Sequence, residues 1–203
     1  VEEPTLHFMA NTFGKDNEQV KFMIEAFNRE VQGLDDVEVW IHTCWGNPNM
    51  QRVMEDTGYA NSIELYLERC KGDVWTLEMK DRNQQDLELF EPLKHDLKKK
   101  ICVGAVSHRS LQADRPEDVA NEIRKALRYI PPERLIVSSD CGFGRQGCNR
   151  EIAFYKSTAI AQGCNIVRKE LGLPVTAVPA TDPTLQIDVV SKAPRTQAVV
   201  STP

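Results

Sequence analysis

The sequence predicts an α/β protein with parallel strands, and more narrowly the C-terminal half of a (β/α)8 TIM barrel. Three observations carry this. Short apolar runs alternate strictly with helical patterns, the runs are nearly continuous as in strands covered on both faces, and reactive side chains recur just after them.

Taken in order, the chain opens with what reads as the end of a strand around Val1, then the extended stretch LHFM (6–9), then the amphipathic helix KDNEQVKFMIEAFNREVQ (15–32). Four complete strand-helix units follow. VEVWIHT (37–43) leads to ANSIELYLERCK (60–71), and DVWTLEM (73–79) to QQDLELFEPLKHDLKK (84–99). ICVGAV (101–106) leads to PEDVANEIRKALRYI (116–130), where Val119, Ile123 and Leu127 mark one helix face, and RLIVSS (134–139) leads to the long helix at 150–172. Four units and part of a fifth leave an apolar sheet edge open, whereas eight close a barrel. The first strands are therefore expected on a missing N-terminal barrel half, in the same protein or a second chain. A complete, smaller doubly wound domain is the alternative. Residues 1–173 form the barrel portion. Residues 174–203, with five prolines and no helical period, form an extension that runs over the surface or embraces a neighbouring subunit, as in a homo-oligomer.

Composition excludes several classes. The chain is 41% hydrophobic and 27% charged, as soluble globular domains are, and its apolar runs fall short of a membrane span. A net charge of −5, with no basic cluster larger than Lys98-Lys99-Lys100, argues against nucleic acid. The N-terminus carries no basic-then-apolar leader, so a cytoplasmic protein is expected, and its six scattered cysteines are expected to be reduced.

In a parallel barrel the chemistry sits at the C-terminal strand ends. Those ends carry His42 and Cys44, then Glu78, then His108 and Arg109, then Asp140 and Cys141. Residues two apart on a strand point the same way, so His42 and Cys44 can share an ion that Cys141 reaches from the last strand. Two thiolates and an imidazole select Zn2+, and three protein ligands leave one position open for chemistry, which Glu78 fills at rest. A closed structural zinc with Glu78 or Cys148 as fourth ligand is the non-catalytic alternative. Cys70, Cys102 and Cys164 read as small hydrophobes, Cys148 as a loop thiol, and His7 and His95 as structural.

The motifs IHTCWGN, DVWTLEMKDRNQQDLELFE, IPPERLIVSSDCGFGRQG and the opening VEEPTLHF resemble the C-terminal catalytic half of cobalamin-independent methionine synthase, and more closely its shorter relatives that include epoxyalkane:coenzyme M transferase. The resemblance runs to about Leu173. It implies a barrel whose zinc activates a thiol substrate for alkylation, with His42, Cys44 and Cys141 matching the ligands and Glu78 the accompanying carboxylate. Methionine synthases have Asp-Glu-Pro, whose Asp contacts the homocysteine amino group, where this chain has Glu2-Glu3-Pro4; Glu2 is thereby a substrate-binding candidate. The histidine of SHRS (107–110) falls one residue early, and Gly-Phe-Gly-Arg-Gln-Gly replaces Gly-Leu-Lys-Thr-Arg-Gly after Cys141. These departures favour the epoxide branch.

The expected reaction is thus attack of a zinc-bound thiolate on an electrophilic carbon, with a small-molecule thiol and an alkyl donor as partners. For an epoxide opened by coenzyme M, His108 would meet the developing alkoxide, and Arg109 and Arg145 the sulfonate. For methyl transfer from methyltetrahydrofolate to homocysteine, the same site serves; Trp45 and Phe143 either offer a stacking platform or simply pack the barrel mouth, and Asp140 is a further substrate-binding candidate.

Overall fold

The computed structural model describes residues 1–46, 58–144 and 147–181. Four parallel strands lie in sequence order: β1 (Trp40–Thr43), β2 (Val74–Leu77), β3 (Lys100–Val106) and β4 (Leu135–Ser139). Sequential parallel order is what strand-helix repeats build, so the α/β reading holds. Beyond β1, the His42 amide donates to the Val1 carbonyl (2.9 Å) and the Glu3 amide donates to the His42 carbonyl (3.0 Å). The first residues therefore add a short parallel pairing on β1's outer edge, as the reading of Val1 anticipated. Strand β2 is buried throughout, while β4 is half-buried at the far margin.

The helices are α1 (Pro4–Phe13), α2 (Glu18–Glu30), α3 (Pro116–Ala126) and α4 (Arg150–Glu170). Helix α1 replaces the extended stretch expected at 6–9. Pro4 starts the helix without losing a needed amide bond, and Leu6 and Ala10, one turn apart, bury the same face. Asn17 caps α2 by accepting from the Gln19 amide, and Val20, Ile24 and Phe27 form its buried stripe. Helix α3 starts at Pro116, with acids in its first turn and Arg124 and Lys125 in its last, so both ends suit the macrodipole. Asn149 caps α4 through the Ile152 amide.

Two of the long helices expected from sequence are much shorter. In place of 60–71, a π-helical turn covers Leu65–Arg69. In place of 84–99 stands a 3-10 segment at Leu87–Leu93 with Pro92 inside it, a residue that lacks the donor an α-helix needs there. Among the described residues no helix is long and apolar enough to cross a membrane.

The main core joins α1, α2, β1 and β2 around Trp45, Tyr59, Tyr66, Trp75 and Phe90, with Trp75 stacked on Tyr66 at 4.9 Å. A second core packs α3 and α4 against β3 through Ala105, Val106, Val119, Ile123, Ala159 and Val167. The two helices meet at Gly163, where a Cβ would sit 2.6 Å from Val119 Cγ1 and 3.0 Å from the Pro116 carbonyl. Alanine inside a helix normally gains about 1 kcal/mol over glycine. Here the collision involves a stiff β-branched side chain and backbone, so overpacking of about 1–3 kcal/mol should win. Gly163→Ala is expected to lower the urea midpoint, and a raised midpoint would show that α3 and α4 separate freely.

Candidate metal and thiol-activating site

The site forms where β1, β2, β3 and β4 end. His42 and Thr43 close β1, and Cys44 lies just beyond. Residues 42 and 44 therefore face the same side. Cys141 follows β4, and its Sγ lies 3.3 Å from His42 Nε2. The donor atoms of His42, Cys44 and Cys141 all lie within 4.8 Å of one another, with both sulfurs buried. Tetrahedral zinc, with bonds of about 2.0–2.3 Å, holds its ligand atoms at roughly such separations, so donor types and spacing both fit it.

Electrostatics within the trio set the two sulfurs apart. The Cys141 thiol hydrogen-bonds to Cys44 and lowers the Cys44 thiol far below the usual range, aided by His42 against the opposing effect of burial. Cys141 is pushed up in turn by that bond and by burial. Burial acts to lower the His42 imidazole, but its bond with Cys44 and the charge of Glu2 outweigh it and the net shift is upward. By contrast burial pushes the Cys70 thiol up to about 12, an inert core group, and raises Cys102 and Cys164. Cys148 lies outside the trio, and all six cysteines are free.

Glu78 is fully buried, outside the trio. Its Oε2 accepts from the Trp45 amide (3.0 Å) and its Oε1 from Arg109 Nη2 (2.8 Å). Arg109 is thus committed to Glu78, and it also donates to the Gly46 carbonyl at 3.3 Å. His108 is buried with Nδ1 3.5 Å from Asp81 Oδ2, and Glu78, Asp81 and His108 form a second tight group. Glu2 is exposed, its carboxylate 3.8 Å from His42 Nε2.

Two expected substrate contacts are placed elsewhere. Trp45 is fully buried: His7 meets it edge-on at 4.8 Å, Tyr59 at 4.6 Å, and Arg82 covers it with its guanidinium 4.1 Å from the ring centre. Its ring is part of the core and offers no stacking platform. Asp140 is fully buried, with both carboxylate oxygens taken by backbone amides. Burial and the nearby Asp81 push its carboxyl up to about 7, the amides acting in the opposite direction. Phe143 packs partly against the second core, and Arg145 lies outside the described residues. His7 bonds Ser62 Oγ at 2.6 Å inside the core, and His95 is exposed.

Sequence reasoning passed over the segment after β2. Arg82 stacks on Trp45 and Tyr59 and pairs with Asp86 (2.6 Å), which also accepts the Tyr59 amide (3.0 Å). Asn83, Gln84 and Asp86 all have positive φ, a cluster of costly backbone beside the site. The signal was present: KDRNQQD is a polar run directly after a buried strand, and polar loops at that end of a parallel sheet carry function.

Residues 14–160 match the family described as cobalamin-independent synthase, catalytic domain. The methionine synthase of Sulfurisphaera tokodaii is 32% identical over 171 residues, covering 84% of this chain and 43% of that protein. The methionine synthase of Thermococcus kodakarensis is 32% identical over 154 residues, 76% of this chain and 40% of the relative. A B12-independent methionine synthase structure from a Shewanella species, in complex with selenomethionine, superposes with a TM-score of 0.62 at 24% identity, over 84% of this chain and 48% of that one. At that identity the superposition speaks for the fold. The chain spans less than half the length of these relatives.

Proposed function

This chain belongs to the cobalamin-independent synthase catalytic-domain family, and from that premise we propose that it carries the thiol-activating site of a zinc-dependent methyl transfer from methyltetrahydrofolate to homocysteine. The observation that carries the reading is the convergence of one imidazole and two sulfurs, from opposite margins of the sheet, on one point. Zinc held by His42, Cys44 and Cys141 would supply the Lewis acidity that takes the proton from a substrate thiol and keeps its sulfur nucleophilic. The remaining roles fall to side chains. Glu2, exposed beside His42, presents a carboxylate suited to the ammonium of an amino-acid thiol. Arg109 and the Trp45 amide hold the Glu78 carboxylate in place, and its negative charge acts on His42. His108, braced by Asp81, is the proton donor for the amine left when the methyl group departs. The activity needs the further barrel strands expected from the sequence, which would bring the folate-binding surface.

Epoxide opening by coenzyme M, which the departures in the motifs favoured, is less well supported. The relatives named above are methionine synthases. The guanidinium expected to take the sulfonate is already paired with a buried carboxylate, and moving it would strand Glu78. A closed structural zinc would need a fourth protein donor, but Glu78 is engaged by the Trp45 amide and Arg109, and Cys148 lies outside the trio.

Assay of the intact protein with zinc decides among these. Methionine formation from methyltetrahydrofolate and homocysteine is expected. Turnover only with an epoxide and coenzyme M would replace this reading, and zinc without either activity would make the site structural.

A further inference from the structure

The side chain just before Cys141 does something that neither the metal trio nor the substrate roles require. Strand β4 still pairs with β3 as it ends, the Asp140 amide donating to the Val106 carbonyl at 3.0 Å. The Asp140 side chain then crosses over β3 and reaches the turn after β2. Its Oδ1 accepts the amides of Met79 and Lys80, and its Oδ2 the amide of Asp81, each at 2.7 Å. Three consecutive amides aimed at one anion form a nest, and Asp140 fills it from a strand two places away.

The crossing is possible because position 104 of β3 is glycine. A Cβ there would lie 1.9 Å from Asp140 Oδ1 and 2.8 Å from its Cα. Glycine inside a strand is unfavourable by roughly 0.5–1 kcal/mol, so close approach of another group is the physical reason for it. The same glycine's carbonyl accepts Gln84 Nε2 at 3.0 Å, which fastens the far end of the turn.

We propose that Asp140 and Gly104 are positioning residues: the Asp140 carboxylate, passing over Gly104, locks the backbone that carries Cys141 to the turn that carries Glu78 and Asp81. The trio and its neighbouring carboxylates are thereby held in one register, although Cys141 follows β4, which pairs with neither β1 nor β2. Asp140 does not itself meet substrate, since it is buried and both oxygens are engaged. This rests on the reading of His42, Cys44 and Cys141 as a thiol-activating metal site, and its consequence is felt first at the Cys141 sulfur.

Three variants of the intact protein test it: Gly104→Ala, Asp140→Asn and the pair Gly104→Ala with Asp140→Ala. Gly104→Ala drives the carboxylate out of the nest without changing its chemistry. Asp140→Asn puts an NH2 against an amide donor. Loss of such outer partners typically weakens metal binding about ten- to hundredfold, and that is expected of both single variants in zinc titrations. With cobalt in place of zinc, the sulfur-to-metal charge-transfer band should weaken or shift. In the double variant the 1.9 Å collision with the carboxylate is gone and only the 2.8 Å approach to the Cα of residue 140 remains, so the two changes together should cost less than the sum of the two alone, a coupling that two unrelated stability losses would not show.

A metal-free measurement separates this idea from the zinc reading. Diamide, itself reduced to the hydrazine, should join Cys44 and Cys141 quickly in the parent and at least about tenfold more slowly in the single variants, as scored by peptide mapping. If the parent binds no zinc but the disulfide rates differ in this way, the metal reading falls and the positioning role stands. Parent-like zinc affinity, cobalt spectrum and disulfide rate in Asp140→Asn would overturn the positioning role. Should Gly104→Ala not fold, Asp140→Asn, which leaves the glycine in place, carries the same test, with slow disulfide formation supporting the role and a parent-like rate overturning it.

Discussion

Replacing Cys141 with serine is expected to remove metal binding and thiol alkylation together. Zinc sites with four protein ligands bind with apparent energies of about 10–16 kcal/mol, so one thiolate corresponds to roughly 3–4 kcal/mol, or about two to three decades in affinity. A serine hydroxyl recovers little of it, being harder, shorter and protonated at neutral pH. With His42 and Cys44 alone, the ion would be left on two ligands from a single strand end. Metal analysis after dialysis and turnover with homocysteine should fall in parallel. The same change at Cys70 or Cys148, which stand apart from the trio, should leave both intact. Retained zinc and turnover in Cys141→Ser would remove the metal site from the mechanism.

The second large effect is expected far from any sulfur. Lys156 on α4 is fully buried, and its ammonium donates to Asp114 Oδ2 at 2.9 Å. Asp114 belongs to the loop after β3, the same loop that begins with His108 and Arg109. Asp114→Ala would leave a charge inside the protein without its partner, a loss of about 3–5 kcal/mol in comparable cases. That is a large share of the roughly 5–15 kcal/mol by which domains are stable. Denaturant midpoints should show it directly. Exchanging both residues for apolar ones of similar size, Lys156→Met with Asp114→Leu, should restore most of the loss, because the penalty belongs to the unpaired charge. An Asp114→Ala protein as stable as the parent would mean that water reaches Lys156.

The strands were legible because parallel strands under helices are written as continuous apolar runs, and VWTL and KICVGAV are buried nearly end to end. The residues at their ends followed from architecture alone, which is how His42, Cys44 and Cys141 could be grouped across the chain. Local pattern misled where a few residues fit two periods. LHFM reads as a strand in isolation, yet Leu6 and Ala10 fit a helix once Pro4 is taken as its start. The Leu-rich stretch at 84–99 has helical spacing but contains Pro92 and follows a left-handed turn. Trp45 and Asp140 stand at the strand ends where they were expected, and both are buried among the protein's own groups. Periodicity says which residues share a face. It cannot say that Arg82 comes back over Trp45, or that Gly104 is small because Asp140 passes above it.

His42 and Cys141 touch across 99 positions of chain, from opposite margins of the sheet. Closing a loop of that length is entropically slow to nucleate, so the contact belongs to the last stage of folding, after the intervening β-α units have docked. An ion bridging these two residues would act as a late latch: it would retard the opening of the finished protein and do little to hasten its formation. Lifetime rather than folding speed is what such a centre governs.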